Sequence, residues 1–310
     1  MKFHPLRIAM LAATLLFVGG CGKNESNIVV VYTSQDEVFA EPILEEFQKE
    51  TGIQARAVYD SEAVKTVGLV NRLLTERDNP QCDVFWNNEE FRTRQLAARG
   101  IFRETNGWTH LGYRTRRIVI NTNLLTMATA PRTFSDATNA IWRGKVALAY
   151  PLFGTTATHF HALRQHWGAP VWENWCRALA ANKPFLVDGN SVVVKMVSRG
   201  EASWGFTDSD DIAGARREGF PVAALPSTDE TLFIPNTVAV IRNCPHPEAA
   251  ERLFEFISDP KVSAKLVELH ALEGSTLPAA TAATGLQVDW SQLLKDLEPV
   301  TDKTKEIFLR

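Results

Sequence analysis

Four aspartates in this chain stand where their carboxylates could act together. Asp36 follows one apolar run, and Asp208, Asp210 and Asp211 follow another. Carboxylates that face one small volume repel each other unless a cation joins them or a proton is taken up. The set therefore predicts a site for a metal ion or for an ammonium group, and oxygen donors without His or Cys favour hard cations. The alternative is that Asp208 and Asp210 only cap the following helix.

Alternating strands and helices must position these side chains. The β-branched run at residues 28–32 predicts a buried strand, and the runs at 53–59 and 83–86 predict two more, each followed by a helix. This order indicates a parallel sheet with both faces covered, in which ligands bind at the carboxyl ends of the strands. The predicted ligand-binding residues are Thr33, Ser34, Asp36, Asn87, Asn88, Arg116, Thr155, Thr156, Asn190, Asp208, Asp210 and Asp211.

The same alternation starts again near residue 145, which predicts two α/β units. Residues 118–120 lead from the first unit to the second, and residues 238–240 lead back. Two crossings between two lobes describe a hinge. We therefore expect an α/β fold of two mixed-sheet lobes joined by two strands, with residues 28–117 and 238–310 in the first lobe and residues 118–237 in the second.

The N-terminus has the pattern of an export signal. Lys2 and Arg7 precede a short apolar stretch, and small residues then lead to a cysteine. The segment VGGC resembles the lipobox of bacterial lipoproteins, which implies a signal peptide at residues 1–20, lipidation of Cys21 and a tether at 21–27. We thus expect a periplasmic protein anchored to a membrane through lipid; the alternative is an ordinary cleaved signal.

Charge and cysteine content exclude some classes of function. Loss of residues 1–20 removes two of the 33 basic residues and none of the 36 acidic ones, so the net charge falls from −3 to about −5. A mildly acidic surface argues against a nucleic-acid partner. The remaining cysteines are Cys82, Cys176 and Cys244, an odd number without metal-ligand spacing. We expect three buried free thiols, with a Cys82–Cys244 disulfide as the alternative.

Catalytic motifs are missing from the sequence. It contains no G-x-S-x-G, Walker A or G-x-G-x-x-G pattern. Glu89 and Glu90 are adjacent at a predicted helix start, which suits capping of the helix dipole better than a carboxylate dyad. His159 and His161 are two residues apart, so they face different directions on a helix. We expect a protein that is not an enzyme and has no catalytic cofactor.

Five segments carry a family resemblance: VVVYTSQDE, DVFWNNE, RTRRIVINT, NSVVVKMVSRGEASWGFTDSDD and IPNTVAVI. The order and spacing of these segments over residues 28–278 resemble those of the ferric-iron-binding and related type II periplasmic solute-binding proteins of ABC importers. That group takes iron, aminophosphonates, thiamine or polyamines. The resemblance implies a monomer that closes on a small ligand and passes it to an ABC permease.

The resemblance also implies an anion site. In such proteins an anion is held by the residues that open a second-lobe helix, here Gly154, Thr155 and Thr156, and by an Asn that falls on Asn190. Backbone N–H groups at a helix start form a cradle for anions when hydroxyl groups lie beside them. Arg114 and Arg116, on a predicted strand, could add charge-assisted hydrogen bonds. Together with the aspartates, this site indicates either a metal held with an anion or a zwitterion such as an aminophosphonate.

The iron-binding positions of that family do not match here. They fall on Asp36, Asn88, Asp210 and Asp211, where the resemblance implies a His, a Glu and two adjacent Tyr. The chain has only four Tyr, none of them adjacent, which argues against a tyrosinate iron site. The family favours a metal ion held with an anion by those four residues. An aminophosphonate, another small organic solute, or a sensory or delivery role without an ABC permease are the alternatives.

Overall fold

A computed structural model describes residues 27–60, 66–279 and 284–309 of the chain. The expected signal peptide, Cys21 and nearly all of the tether lie outside the described residues. Within them, no helix is both long and apolar enough to cross a membrane.

The described residues form nine strands, and most of them occur where β-branched and aromatic runs predict buried strands. The strands are β1 Ile28–Thr33, β2 Gln54–Tyr59, β3 Val84–Asn87, β4 Trp108–Asn121, β5 Val146–Ala149, β6 Phe185–Val187, β7 Trp204–Asp208, β8 Val222–Ala224 and β9 Phe233–Val240.

Eleven α-helices in the same residues connect and cover these strands. They are α1 Glu37–Thr51, α2 Val67–Thr75, α3 Glu90–Ala98, α4 Gly154–Trp167, α5 Ala169–Ala181, α6 Asn190–Ser198, α7 Ser209–Arg217, α8 Pro247–Ser258, α9 Pro260–Glu268, α10 Trp290–Lys295 and α11 Leu297–Phe308. Short 3-10 turns lie at Phe134–Thr138 and Ala140–Trp142.

The long strand β4 belongs to both halves of the molecule. From Trp108 to Thr115 it pairs antiparallel with β9, next to which lie β3, β1 and β2. From Arg116 to Ile120 it pairs antiparallel with β7, next to which lie β5 and β6. Parallel and antiparallel pairs thus occur in each half, and separate apolar clusters cover them. The predicted α/β fold with two mixed-sheet lobes is confirmed.

The crossings between the halves lie earlier than the sequence suggests. Residues Ile118–Ile120 already pair with β7 of the second half, and all of β9, including Val238–Val240, pairs within the first half. The return is made by the segment before β9, where Leu232 accepts a hydrogen bond from the N–H of Arg116 at 2.9 Å. Both predicted hinge segments are apolar β-branched runs, and such runs mark central buried strands rather than connections.

The C-terminal helices contact both halves, whereas the sequence assigns all of residues 238–310 to the first lobe. Leu293 of α10 packs against Phe91 of α3 in the first half. The Phe308 ring of α11 lies 5.8 Å from that of Phe160 on α4, in the second half. The apolar side chains of α11 are buried there because α4 and α5 present the complementary apolar face. The lobe boundaries 28–117 and 118–237 stay a prediction.

The three cysteines of the described residues are free thiols, as expected. Cys82 and Cys176 are buried and Cys244 is half-buried. Burial raises the pKa of Cys244 to about 11, so the most accessible of the three thiols is also mainly protonated at neutral pH.

Candidate ligand-binding site

The carboxyl ends of strands from both halves meet at a small cavity. The first turns of α4 and α6 open onto it, preceded by Phe153 and Gly189. The space inside is about 30 Å³. Seven of the predicted binding residues line this cavity: Asp36, Asn88, Thr155, Thr156, Asn190, Asp208 and Asp211.

Three predicted residues of the first half support the cavity instead of lining it. The Ser34 hydroxyl donates to Oδ1 of Asn87 at 2.6 Å and accepts from the N–H of Asn88 at 2.9 Å. The Thr33 hydroxyl accepts from the N–H of Gln35 at 3.0 Å. Thr33, Ser34 and Asn87 are almost fully buried, so they hold the loop that presents Asn88.

On the second half, four polar side chains bind one another. Asp208 accepts from the Thr155 hydroxyl at 2.7 Å, from Nδ2 of Asn190 at 3.1 Å and from Nη1 of Arg116 at 2.7 Å. The same Nη1 donates to Oδ1 of Asn190 at 2.9 Å. Thr155, Asn190 and Arg116, which the sequence predicts to bind an anion, therefore donate hydrogen bonds to the Asp208 carboxylate. Arg116 is fully buried behind the cavity and contacts Asp208 in place of a bound anion.

Arg114 lies at the centre of the predicted aspartate cluster. Its guanidinium forms an ion pair with Asp210 and a second one with Asp208 at 3.2 Å. Burial alone lowers the pKa of Arg114, but the charges of Asp210, Asp208, Asp36 and Asp211 raise it above its ordinary value. The guanidinium of Arg114 is thus a cation that relieves the repulsion between the Asp208 and Asp210 carboxylates. Asp210 faces an outer part of the cleft and does not line the inner cavity.

The ion pairs also keep Asp208 charged. Burial raises the pKa of this carboxyl, but Arg114 and Arg116 together with the Thr155 hydrogen bond lower it below its ordinary value. The Asp208 side chain makes no capping hydrogen bond to the start of α7, so the capping alternative is wrong for this residue.

A metal-compatible group exists in the described residues, but it differs from the predicted set. One carboxylate oxygen from each of Asp208, Asp210 and Asp211 lies within 4.8 Å of the others. Asp36 lines the inner cavity and is not among these three carboxylates. The role of Asp36, Asn88, Asp210 and Asp211 as metal ligands stays a prediction.

Asp188 and Thr66 are two of the lining residues that the predicted set does not include. Asp188 follows β6 directly, and the rule about strand carboxyl ends selects it as well. Thr66 precedes α2 with a positive φ of 72°, and its buried hydroxyl has no partner among the described residues. A buried hydroxyl without a partner is unusual, so it marks a point where a ligand could bind. No sequence pattern indicates the conformation of Thr66.

Glu89 connects the two halves beside the site. As the sequence predicts, it caps its helix: its carboxylate accepts from the N–H of Phe91 at 2.7 Å and from that of Arg92 at 3.1 Å. It also accepts from the Thr158 hydroxyl of α4 at 3.3 Å. Burial raises the pKa of Glu89 to about 7.

The two buried histidines of α4, His159 and His161, are packing residues. Nε2 of His159 lies 2.8 Å from the carbonyl oxygen of Glu230, a contact that requires a proton on this nitrogen. Burial lowers the pKa of His159 and of His161 to about 3, so both are neutral at physiological pH.

Comparison with known proteins defines the class of the molecule. Residues 28–268 match the family model described as bacterial extracellular solute-binding protein. The chain therefore belongs to the bacterial extracellular solute-binding proteins. No curated protein sequence matches the chain.

Solved structures share the fold at low sequence identity. Iron-bound HitA from Pseudomonas aeruginosa has a TM-score of 0.79 at 17% identity, covering 90% of this chain and 99% of its own. The apo ferric ion-binding protein A of Pasteurella haemolytica has a TM-score of 0.74 at 20% identity, covering 91% and 98%. AfuA from Actinobacillus pleuropneumoniae, with fructose-6-phosphate bound, has a TM-score of 0.77 at 15% identity, covering 90% and 98%. At these identities the likeness shows the two-lobed fold and leaves the ligand open.

Proposed function

We propose that this protein is the substrate-binding component of an ABC importer and that it closes on a small zwitterionic solute, of which an aminophosphonate is the model. One observation carries the proposal. Of the described residues that line the inner cavity, four are aspartates and one is an arginine, and the N-termini of two helices open onto the same space.

The oxyanion would bind at the first turns of α4 and α6. The first N–H groups of a helix have no partner within it, and the helix dipole adds partial positive charge there. Thr156 and Gly154 line the cavity at the start of α4, and Asn190 at the start of α6. Because Asp208 engages the side chains of Thr155 and Asn190, the backbone amides become the main anion donors in this proposal.

The positive centre of the ligand would lie between Asp36 and Asp211. Asp36 precedes α1 in the first half, and Asp211 lies in the first turn of α7 in the second. An ammonium group that contacts both carboxylates is attracted more strongly when the halves close. A ligand with such differential affinity shifts the population toward the closed state, which the importer can recognise.

A metal ion held with an anion is the second candidate. It is supported by the oxygen atoms of Asp208, Asp210 and Asp211, which lie within 4.8 Å of one another. A cation at that point would lie next to the guanidinium of Arg114, which is bound to two of the three carboxylates. Like charges repel at this range, so we rank the zwitterion first.

Titration calorimetry on the purified protein tests the ranking. We expect 2-aminoethylphosphonate to bind, and a hundredfold excess over its dissociation constant to stabilise the protein by about 2.7 kcal/mol. Asp36→Asn combined with Asp211→Asn should weaken binding at least about tenfold, or 1.4 kcal/mol. The matched control Asp302→Asn, on the exposed face of α11, should leave binding unchanged.

Ethylphosphonate, which lacks the amine, separates the contribution of the ammonium group to binding from that of the phosphonate. It should bind more weakly than 2-aminoethylphosphonate, and the paired aspartate substitutions should not weaken it further. Saturable binding of ferric iron with phosphate, together with no heat from either phosphonate, would select the second candidate instead.

Attachment and delivery are part of the same proposal. We place lipid on Cys21 and the protein in the periplasm, as a monomer. Intact-mass analysis of membrane fractions should show a lipid adduct that Cys21→Ala abolishes. Loss of solute uptake in a deletion strain supports an ABC permease as partner, whereas normal uptake with an altered transcriptional response would favour the sensory alternative.

A further inference from the structure

A larger compartment continues the cleft outward from the inner cavity. It lies between α1 of the first half and α6 and α7 of the second, and its volume is about 360 Å³, compared with about 30 Å³ inside. Asp36 and Asp211 line both spaces, so the two are adjacent at these carboxylates. A ligand whose charged head lies in the inner cavity can extend into this compartment between the halves.

The walls of this outer compartment expose apolar side chains from both halves. Val38 of α1 is 71% exposed and Phe220, just after α7, is 44% exposed. Val194 of α6, which is itself almost fully buried, also lines the compartment. Charged side chains border this apolar part: Asp36, Lys195, Arg199, Asp210, Asp211, Arg217 and Glu218. When the cleft closes on an apolar group, the exposed apolar side chains are removed from water. Their burial stabilises the complex by about 25 cal/mol for each Å² of apolar surface.

Gly214 leaves this compartment open. It lies inside helix α7 and lines the space, and a Cβ built on it would meet no atom within 4 Å. A glycine in a helix interior costs about 0.5–1 kcal/mol relative to alanine. Neither packing nor backbone conformation requires the glycine here, because its φ is not positive and the neighbouring space is empty. What the glycine supplies is room in the outer compartment.

We infer that this outer compartment, formed by Val38, Val194, Gly214 and Phe220, binds an apolar side chain of the ligand. The inference rests on the proposed function. The oxyanion lies at the helix starts, the ammonium group lies between Asp36 and Asp211, and the carbon beside it carries an apolar substituent outward. The ligand class is thus an α-amino oxyanion with a hydrocarbon or aromatic side chain.

Two probes with the same head group test the inference: aminomethylphosphonate, which has no side chain, and 1-amino-2-phenylethylphosphonate, which has a benzyl group. We expect calorimetry to show at least about tenfold tighter binding of the benzyl probe to the wild type. Gly214→Phe should reduce that advantage to less than about twofold and leave aminomethylphosphonate unaffected. Gly214→Ala is the matched control and should retain the advantage.

Val38→Asp on the opposite wall is a second variant that avoids any effect on α7. It places a charge in the apolar wall and should also remove the benzyl advantage, while circular dichroism confirms folding. Equal affinity of both probes for the wild type, or a benzyl advantage that persists in both variants, would overturn the inference alone. If neither probe binds the wild type, the head-group assignment of the proposed function fails, and the inference fails with it.

Discussion

On the first-half wall of the cleft, Ser34, Asn87 and Asn88 are joined by hydrogen bonds between uncharged groups. On the second-half wall, Asp208 is held by Arg114, Arg116 and hydrogen-bonding neighbours in a buried ionic network. Loss of a hydrogen bond between neutral groups costs little free energy of unfolding. Loss of an ionic partner costs more, because it leaves an uncompensated charge in the interior. The walls should therefore differ greatly in their sensitivity to substitution.

The largest effect is expected when Asp208 is replaced by alanine. Arg116 is fully buried, and Asp208 is its ion-pair partner in the described part of the chain. The substitution leaves an uncompensated guanidinium, so the free energy of unfolding should fall by about 3–5 kcal/mol. Urea titration monitored by circular dichroism measures it.

The double variant Asp208→Ala with Arg116→Met sharpens that result. Removing both charges should restore part of the stability, since the penalty comes from the stranded charge. A double variant less stable than the single one would show that the ion pair is not the main source of the effect.

A pH effect of intermediate size is expected from Glu89, which hydrogen-bonds to residues of both halves. Its pKa is raised from 4.5 to about 7 by burial, so the folded state keeps a proton that the unfolded chain loses. Stability should therefore fall as the pH rises from about 4.5 to about 7, by about 3 kcal/mol, and then level off. The measurement is the difference in unfolding free energy between wild type and Glu89→Gln across this range. An equal slope in both proteins would contradict the assignment.

The smallest effect is expected on the neutral wall. Ser34→Ala removes the hydroxyl that joins Asn87 to Asn88, and the cost should be about 1–2 kcal/mol. Thermal unfolding of Ser34→Ala and Asp208→Ala under the same conditions compares the loss of stability on the two walls. If Ser34→Ala cost as much as Asp208→Ala, the proposed contrast between the walls would be wrong.

Much of the fold follows from the sequence. The runs that become β1, β3, β5 and β7 are apolar and β-branched or aromatic, so they are buried wherever they occur. The polar residues after them lie at the carboxyl edge of the strands in each half, and both edges border the cavity, which is why Asp36, Asn88, Thr155 and Asp211 all reach it. Ile118–Ile120 and Val238–Val240 each pair within one half, because the same apolar pattern describes a central strand and a crossing strand.

The sequence by itself therefore determined the strand ends at which the site lies and the residue types that gather there, because periodicity and turn residues are local signals. Only the tertiary structure decided how the charges are distributed. Arg114 and Arg116 are separated by more than 90 residues from Asp208 and Asp210, and no local pattern links them. Burial makes these pairs obligatory, since an unpaired charge in the interior costs several kcal/mol. The same packing leaves Gly214 facing open space. The sequence shows only a glycine that lowers helix propensity and does not show the space beside it.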